Sequence, residues 1–124
     1  MADEPISEGL KAFILRHVDS IAQLEALLLL HKDQNATWNA GSLAGRLYIG
    51  ERETLEILTR LAASVLAIEE GGAFKFNDHF EQLGMLNQLA LAYSRHLIPV
   101  TRLIHTKPSR IQEFADAFKL RRDR

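Results

Sequence analysis

The 124-residue sequence contains no cysteine, only three prolines and no apolar run longer than five residues. The absence of cysteine excludes a disulfide, a thiolate nucleophile, a cysteine-ligated zinc ion and an iron–sulfur cluster. A membrane-spanning helix needs roughly 18 apolar residues, so we expect no membrane segment. The N-terminus is acidic and leads into no signal-peptide core. These features together predict a cytoplasmic protein.

Neither sign of charge dominates, because 15 Lys and Arg side chains stand against 16 Asp and Glu. This balance excludes a strongly basic, indiscriminate nucleic-acid binder but leaves a local basic face open. The acidic side chains are concentrated toward the N-terminus and the basic ones toward the C-terminus. No repeat, low-complexity tract or Pro/Gly-rich linker divides the chain, so residues 1–124 are predicted to form one domain.

Helical patterns occupy the first half of the chain. Apolar spacing predicts an N-terminal helix over residues 7–18. Ser20 and Gln23 fit a capping box at the start of a second, leucine-rich helix. A short helix over Ser42 to Leu47 is then predicted, followed by a longer one from Glu51 to about Ser64.

The periodicity changes after the fourth predicted helix. Two short arms, residues 65–68 and 73–76, flank Gly71 and Gly72, which predicts a β-hairpin. Trp38 is expected in the core or in a short strand that leads into the third helix.

A long helical pattern covers residues 79–105, with a kink expected at Pro99, and a short amphipathic helix is predicted over residues 110–120. Apolar side chains of the long helix alternate at spacings of three and four residues. The predicted seam contains Leu83, Leu86, Tyr93, Leu97, Val100 and Ile104. The seam fits either a helix packed on its own domain or a dimer interface. We favour a homodimer, because a helix of this length extends about 40 Å.

The order of helix, helix, tight turn, helix and hairpin resembles that of the winged-helix domains of bacterial regulators. The resemblance covers residues 20–77 and rests on Leu43, Ala44, Leu47, Ile49, Leu55, Leu58, Leu61, Leu66, Phe74 and Phe76. It implies a mainly α fold, a winged helix-turn-helix with a short β-hairpin wing, an N-terminal helix and a long C-terminal helix. The closing Phe-Ala-Asp-Ala-Phe of residues 114–118 is similar to that of small bacterial winged-helix proteins with an appended helix, a likeness that implies no activity.

The resemblance implies that the helix from Glu51 binds the major groove of double-stranded DNA, as in a transcriptional regulator. Arg52 and Arg60 are expected to contact guanine edges or phosphates, and Arg46 and Lys75 to contact the backbone. The complete expected binding face, with Leu55 buried behind it, is Arg46, Arg52, Glu56, Ile57, Thr59, Arg60 and Lys75.

A protein-interaction module without strong DNA binding stays open as the alternative. Three glutamates on the helix from Glu51 and two on the hairpin oppose phosphate, and an exposed Ile57 suits a protein partner better. Val65 stands where the winged-helix pattern usually has glycine. Because a β-branched residue resists the left-handed conformation, we expect a different junction there.

No residue pattern indicates catalysis. The five histidines have no metal-ligand spacing, and Ser94 lacks the glycines of a nucleophile elbow. Gly41 and Gly45 match neither a phosphate-binding loop nor a dinucleotide fingerprint. We therefore expect no cofactor, no metal ion and no enzymatic activity.

Overall fold

Residues 6–106, described by a computed structural model, form six helices and one two-stranded antiparallel sheet. The elements in chain order are α1 (Glu8–His17), α2 (Ile21–Lys32), α3 (Ala40–Leu47), α4 (Glu51–Ala63), β1 (Ala67–Glu70), β2 (Ala73–Phe76), α5 (Leu83–Arg95) and α6 (Leu97–His105). The prediction of a mainly α fold is confirmed. The helix predicted over residues 110–120 lies outside the described residues.

Side-chain caps fix the starts of the first two helices. The Oγ atom of Ser7 accepts a hydrogen bond from the Leu10 amide, and that of Ser20 accepts one from the Gln23 amide. The Gln23 side chain in turn accepts a hydrogen bond from the backbone amide of Asp19. The cap predicted at Ser20 is therefore present. In a standard capping box the Gln23 side chain would accept from the amide of Ser20, whereas here it accepts from the preceding amide, that of Asp19.

A three-residue turn joins α3 to α4. Asn39 and Ser42 cap each other at the start of α3, so this helix begins two residues earlier than predicted. It ends at Leu47, and the C-cap residue Tyr48 has a left-handed backbone with φ of 59°. After Gly50 the chain enters α4, whose first residue agrees with the prediction.

The predicted hairpin is confirmed, with Ala67 opposite Phe76 and Glu70 opposite Ala73. Gly71 and Gly72 both have positive φ, which the tightest two-residue hairpin turns require and which glycine adopts without strain. Trp38 and Phe74 exchange two backbone hydrogen bonds of 2.7 Å. Trp38 thus adds a one-residue strand to the sheet, as expected.

Val65 joins α4 to β1 in the left-handed conformation, with φ of 57°. The amide of Leu66 donates to the Leu61 carbonyl and that of Val65 to the Ala62 carbonyl, the two bonds of a Schellman motif. Asn77 supports the junction by donating to the Val65 carbonyl at 2.7 Å. The expectation that valine would produce a different junction is therefore wrong.

The long helix predicted over residues 79–105 is wrong, because two helices meet at a break at His96. Pro99 lacks the amide that would donate to the carbonyl four residues before it, and its ring would clash there. A proline is tolerated in the first turn of a helix, so the break falls at His96 and α6 begins at Leu97. The helical part also starts later than predicted, at Leu83, after a loop in which Phe80 is buried.

A continuous apolar cluster draws side chains from every helix and both strands. Helix α1 packs against α5 and α6, whereas α2 packs against α3, α4 and β2. Two polar contacts join α2 to α5: the Tyr93 hydroxyl donates to Glu25, and His31 hydrogen-bonds to Asn87, both at 2.9 Å. Among the elements of residues 6–106, none covers one long side of α4.

Candidate functional site

Helix α4 buries a different face from the one predicted. Ile57, expected to point outward, is only 7% exposed, whereas Leu55, expected in the core, is 48% exposed. Leu58 and Leu61 are fully buried, as predicted. The helix is therefore rotated so that Ile57, rather than Leu55, joins Leu58 and Leu61 on the packed side.

Thr54 also lies on the packed side of α4. Its hydroxyl donates to the Gly50 carbonyl at 2.8 Å, so the side chain has a hydrogen-bond partner although it is fully buried. Because it is fully buried, Thr54 is not available to contact a phosphate group. A threonine that bonds back to its own helix can occupy a core position, and this is the signal that sequence reasoning missed.

The outward side of α4 carries four exposed residues at helical spacing, Arg52, Leu55, Glu56 and Thr59. We refer to these four residues as the α4 surface. Arg52, Glu56 and Thr59 belong to the predicted binding face. The exposed apolar residue of the face is Leu55, whereas Ile57 was expected there. Tyr48, in the turn before α4, is 93% exposed.

Arg60 is directed away from the α4 surface. Its Nη1 atom lies 3.4 Å from Oδ2 of Asp19, in the segment between α1 and α2. A shallow groove of about 160 Å³ separates that segment from α4, and Glu53, Glu56 and Arg60 line it. This edge of α4 is consequently more acidic than basic.

The other two predicted DNA contacts flank the helix. The Arg46 guanidinium lies 5.5 Å from the centre of the Trp38 ring, in a cation–π arrangement. Lys75 is exposed on β2, opposite Ile68 of β1. Within residues 6–106, neither Arg52 nor Lys75 forms an ion pair.

Carboxylates outnumber these available cations. Glu51, Glu53 and Glu56 are all exposed on α4, and Glu69 and Glu70 are exposed on the hairpin. The Glu69 carboxylate accepts a hydrogen bond of 2.9 Å from the Gly72 amide, which holds it at the hairpin turn. The region around α4 therefore combines an apolar centre with a mixed, slightly acidic border.

The six residues predicted to form a dimer seam do not share one exposed face. Leu86, Val100 and Ile104 are fully buried in the core of their own chain. Leu83 and Tyr93 are half-buried, and only Leu97 is exposed. The single seam is wrong because the break at His96 rotates α6 relative to α5. The burial of Leu86, Val100 and Ile104 fits the alternative of helices packed on their own domain, and a homodimer stays a prediction.

Two further properties concern the described part of the chain. None of its helices combines the length and apolarity that crossing a bilayer requires. In residues 6–106, no three His, Asp or Glu side chains are placed to hold a metal ion.

The chain matches no protein-family model, and neither the curated proteins nor the solved structures contain a match to it. Function is therefore inferred from the geometry of the described residues.

Proposed function

We propose that the chain is a winged helix-turn-helix protein whose α4 surface binds another protein. In this proposal, residues 20–77 are the winged-helix part. Helices α3 and α4 are its helix-turn-helix, and the β1–β2 hairpin is its wing. The function is recognition, and it involves no catalytic step.

The arrangement of these elements supports the winged-helix assignment. A turn of three residues separates α3 from α4, and α4 leads through Val65 directly into the hairpin. Trp38 pairs with Phe74 and so connects the segment before α3 to the hairpin. Helix α4 is anchored by its buried side, which leaves the α4 surface available to a partner.

Leu55 is the observation that carries the choice of a protein partner. It lies at the centre of the α4 surface and is half exposed. Leucine offers no donor or acceptor to a base edge, so its direct readout of DNA is limited to contact with a thymine methyl group. Together with Tyr48, which is 93% exposed in the turn before α4, Leu55 adds exposed apolar and aromatic area bordered by polar residues, a composition typical of a protein interface.

The charges near Leu55 support the same choice. Nonspecific DNA affinity comes from neutralised phosphates, and each contact needs an available cation. Arg60 is paired with Asp19, and Arg46 is stacked on Trp38. Arg52 and Lys75 remain, and the exposed glutamates of α4 and the hairpin oppose them.

A photo-crosslinking experiment tests the proposal and identifies the class of partner. Leu55 is replaced by p-benzoylphenylalanine in the full chain, which is expressed in its source organism and irradiated. The adducts are then treated separately with nuclease and with protease. We expect a discrete adduct whose apparent mass nuclease leaves unchanged; protease, which also digests the chain itself, serves only as a control that the adduct contains polypeptide.

The matched control has the same photoreactive residue at Asp33, which is exposed in the turn after α2. This position lies outside the α4 surface and is expected to give no discrete adduct. An adduct at position 55 that nuclease removes would contradict the proposal, and so would identical adducts from both positions.

Sequence-specific DNA binding is the second candidate, and one observation favours it. Arg52 and Lys75 are both exposed and unpaired within the described residues, one on α4 and one on the hairpin. These are the two elements that contact the major groove and the flanking backbone in winged-helix DNA complexes. On this hypothesis, Arg52→Ala combined with Lys75→Ala weakens DNA binding at least tenfold, about 1.4 kcal/mol.

A further inference from the structure

Three large apolar side chains are exposed around the bend between α5 and α6. Leu91 is 51% exposed, Leu97 is 48% exposed and Ile98 is 61% exposed. A single exposed leucine is ordinary on a protein surface, but several on adjoining turns form a patch that usually has a partner. We refer to these three residues with Arg95 and Arg102 as the elbow surface.

Two depressions give the elbow surface its shape. Ile98 lines a groove of about 360 Å³ whose apolar wall also includes Ile6, Pro99 and Leu103. Leu91 lines a second depression, of about 270 Å³, on the other side of the bend. The N-terminal part of α1 contributes to both, so they open at the same end of the protein.

The charge of the elbow surface is one-sided. The sequence from residue 83 to residue 106 contains no aspartate or glutamate. Arg95 and Arg102 are exposed, and neither forms an ion pair within the described residues. On the neighbouring helix, Glu8 pairs with Lys11 at 3.4 Å, and Lys11 also lines the Ile98 groove. The apolar patch is thus bordered by cations.

We propose that the elbow surface is a docking site for an acidic amphipathic helix of another protein. Apolar side chains at helical spacing on that helix enter the groove beside Ile98 and the depression beside Leu91. Its carboxylates pair with Arg95 and Arg102 at the border. Charge complementarity selects this partner, because like charges across an interface are unfavourable.

The same argument disfavours a second copy of the chain docked through this surface. A two-fold contact joins the same patch on both copies. Both sides of the contact would then carry the same Arg95 and Arg102, and residues 83–106 of either copy supply no carboxylate to pair with them. The elbow surface lies on α5 and α6, so the proposal is independent of the partner assigned to the α4 surface.

A designed peptide tests the proposal. The probe is a helical peptide of about 18 residues, roughly 27 Å long, with leucines at helical spacing on one face and glutamates beside them. The control peptide carries lysine in place of every glutamate. Binding to the full chain is measured by fluorescence anisotropy of the labelled peptides and mapped by NMR chemical shifts.

We expect the glutamate peptide to bind in a saturable, salt-sensitive way and to shift the amides around residues 91–103. Ile98→Asp weakens this binding at least about tenfold, or about 1.4 kcal/mol. Arg102→Glu also weakens it but strengthens binding of the lysine peptide, a reversal that loss of folding cannot produce. Ile68→Asp, at an exposed isoleucine on the hairpin, leaves the affinity unchanged.

Four outcomes would overturn the proposal. The first is absence of saturable binding by the glutamate peptide. The second is equal affinity for the lysine peptide. The third is self-association of the protein without peptide, seen as a mass in solution that rises with concentration. If Ile98→Asp restored the monomer mass, the elbow surface would be assigned to a second copy. The fourth is binding to phosphatidylglycerol-containing vesicles without binding to the peptide.

Discussion

Nη1 of Arg60 lies 3.4 Å from Oδ2 of Asp19, and this contact ties α4 to the segment that joins α1 and α2. Both side chains are partly exposed, so the ion pair adds little to stability. The ion pair instead orients the Arg60 side chain away from the outward side of α4. With Arg46 placed over Trp38, Arg52 is the one cation among the four residues of the α4 surface.

The rotation of α4 predicts that two alanine substitutions differ in how much they destabilise the protein. Ile57→Ala removes buried methyl groups beside Leu58 and Leu61, so we expect it to lower the free energy of unfolding by about 2–4 kcal/mol. Leu55→Ala removes a half-exposed side chain and should change that free energy by no more than about 0.5 kcal/mol. Urea denaturation of both variants measures the difference. A larger loss for Leu55→Ala would contradict the orientation of α4.

The backbone of Val65 predicts a stabilising substitution. A β-branched residue at φ of 57° is strained by about 1–3 kcal/mol. Glycine relieves that strain but makes the unfolded chain more flexible, which offsets part of the gain. We expect Val65→Gly to raise the free energy of unfolding by about 0.5–1.5 kcal/mol.

Ser64→Gly is the matched control for this measurement. Ser64 directly precedes Val65 and has φ of −91°, a conformation that ordinary residues adopt. Glycine there relieves no strain and should lower the free energy of unfolding by about 0.5–1 kcal/mol. If both variants were destabilised to the same extent in thermal unfolding, the strain at Val65 would be disproved.

The hydrogen bond between Tyr93 and Glu25 predicts a change of stability at high pH. Partial burial of Tyr93, with the hydrogen bond and negative charge of Glu25, raises the pKa of its phenol from 10.0 to about 12. The folded state therefore holds this proton more tightly than the unfolded state does. The resulting stabilisation is complete below pH 10 and is lost as the pH rises from 10 to 12.

Ultraviolet absorbance of the phenolate measures this titration directly. We expect Tyr93→Phe to remove an ionisation step near pH 12, and Glu25→Gln to move that step toward lower pH. The free energy of unfolding of Tyr93→Phe should fall less between pH 10 and 12 than that of the original chain. A Glu25→Gln variant with an unchanged titration would refute the assigned role of Glu25.

The elements that sequence reasoning predicts correctly are those fixed by local chemistry. The Ser20 cap depends on one hydrogen bond, which the backbone amide of Gln23 donates to the Ser20 hydroxyl three residues earlier. The hairpin depends on Gly71 and Gly72, whose positive φ values suit a tight turn. In both cases, residues that are close in sequence make the interaction, so the pattern contains the necessary information.

The predictions that fail depend on contacts between distant elements. Leu58 and Leu61 are compatible with a buried face that includes either Leu55 or Ile57, and packing of α4 against α2 selects Ile57. The break at His96 is different, because its cause, Pro99, is only three residues away; the apolar spacing continues across the break and so favoured one long helix. The candidate site therefore lies on α4, as predicted, but its exposed apolar residue is Leu55 and not Ile57.

Selection from fragmented genomic DNA of the source organism, across a series of salt concentrations, tests the central claim most directly. If the α4 surface binds protein rather than DNA, no sequence is enriched, and Arg52→Ala leaves the residual binding within about twofold at physiological salt. Enrichment of one sequence that loses at least about tenfold affinity in Arg52→Ala would contradict the claim and assign the α4 surface to DNA.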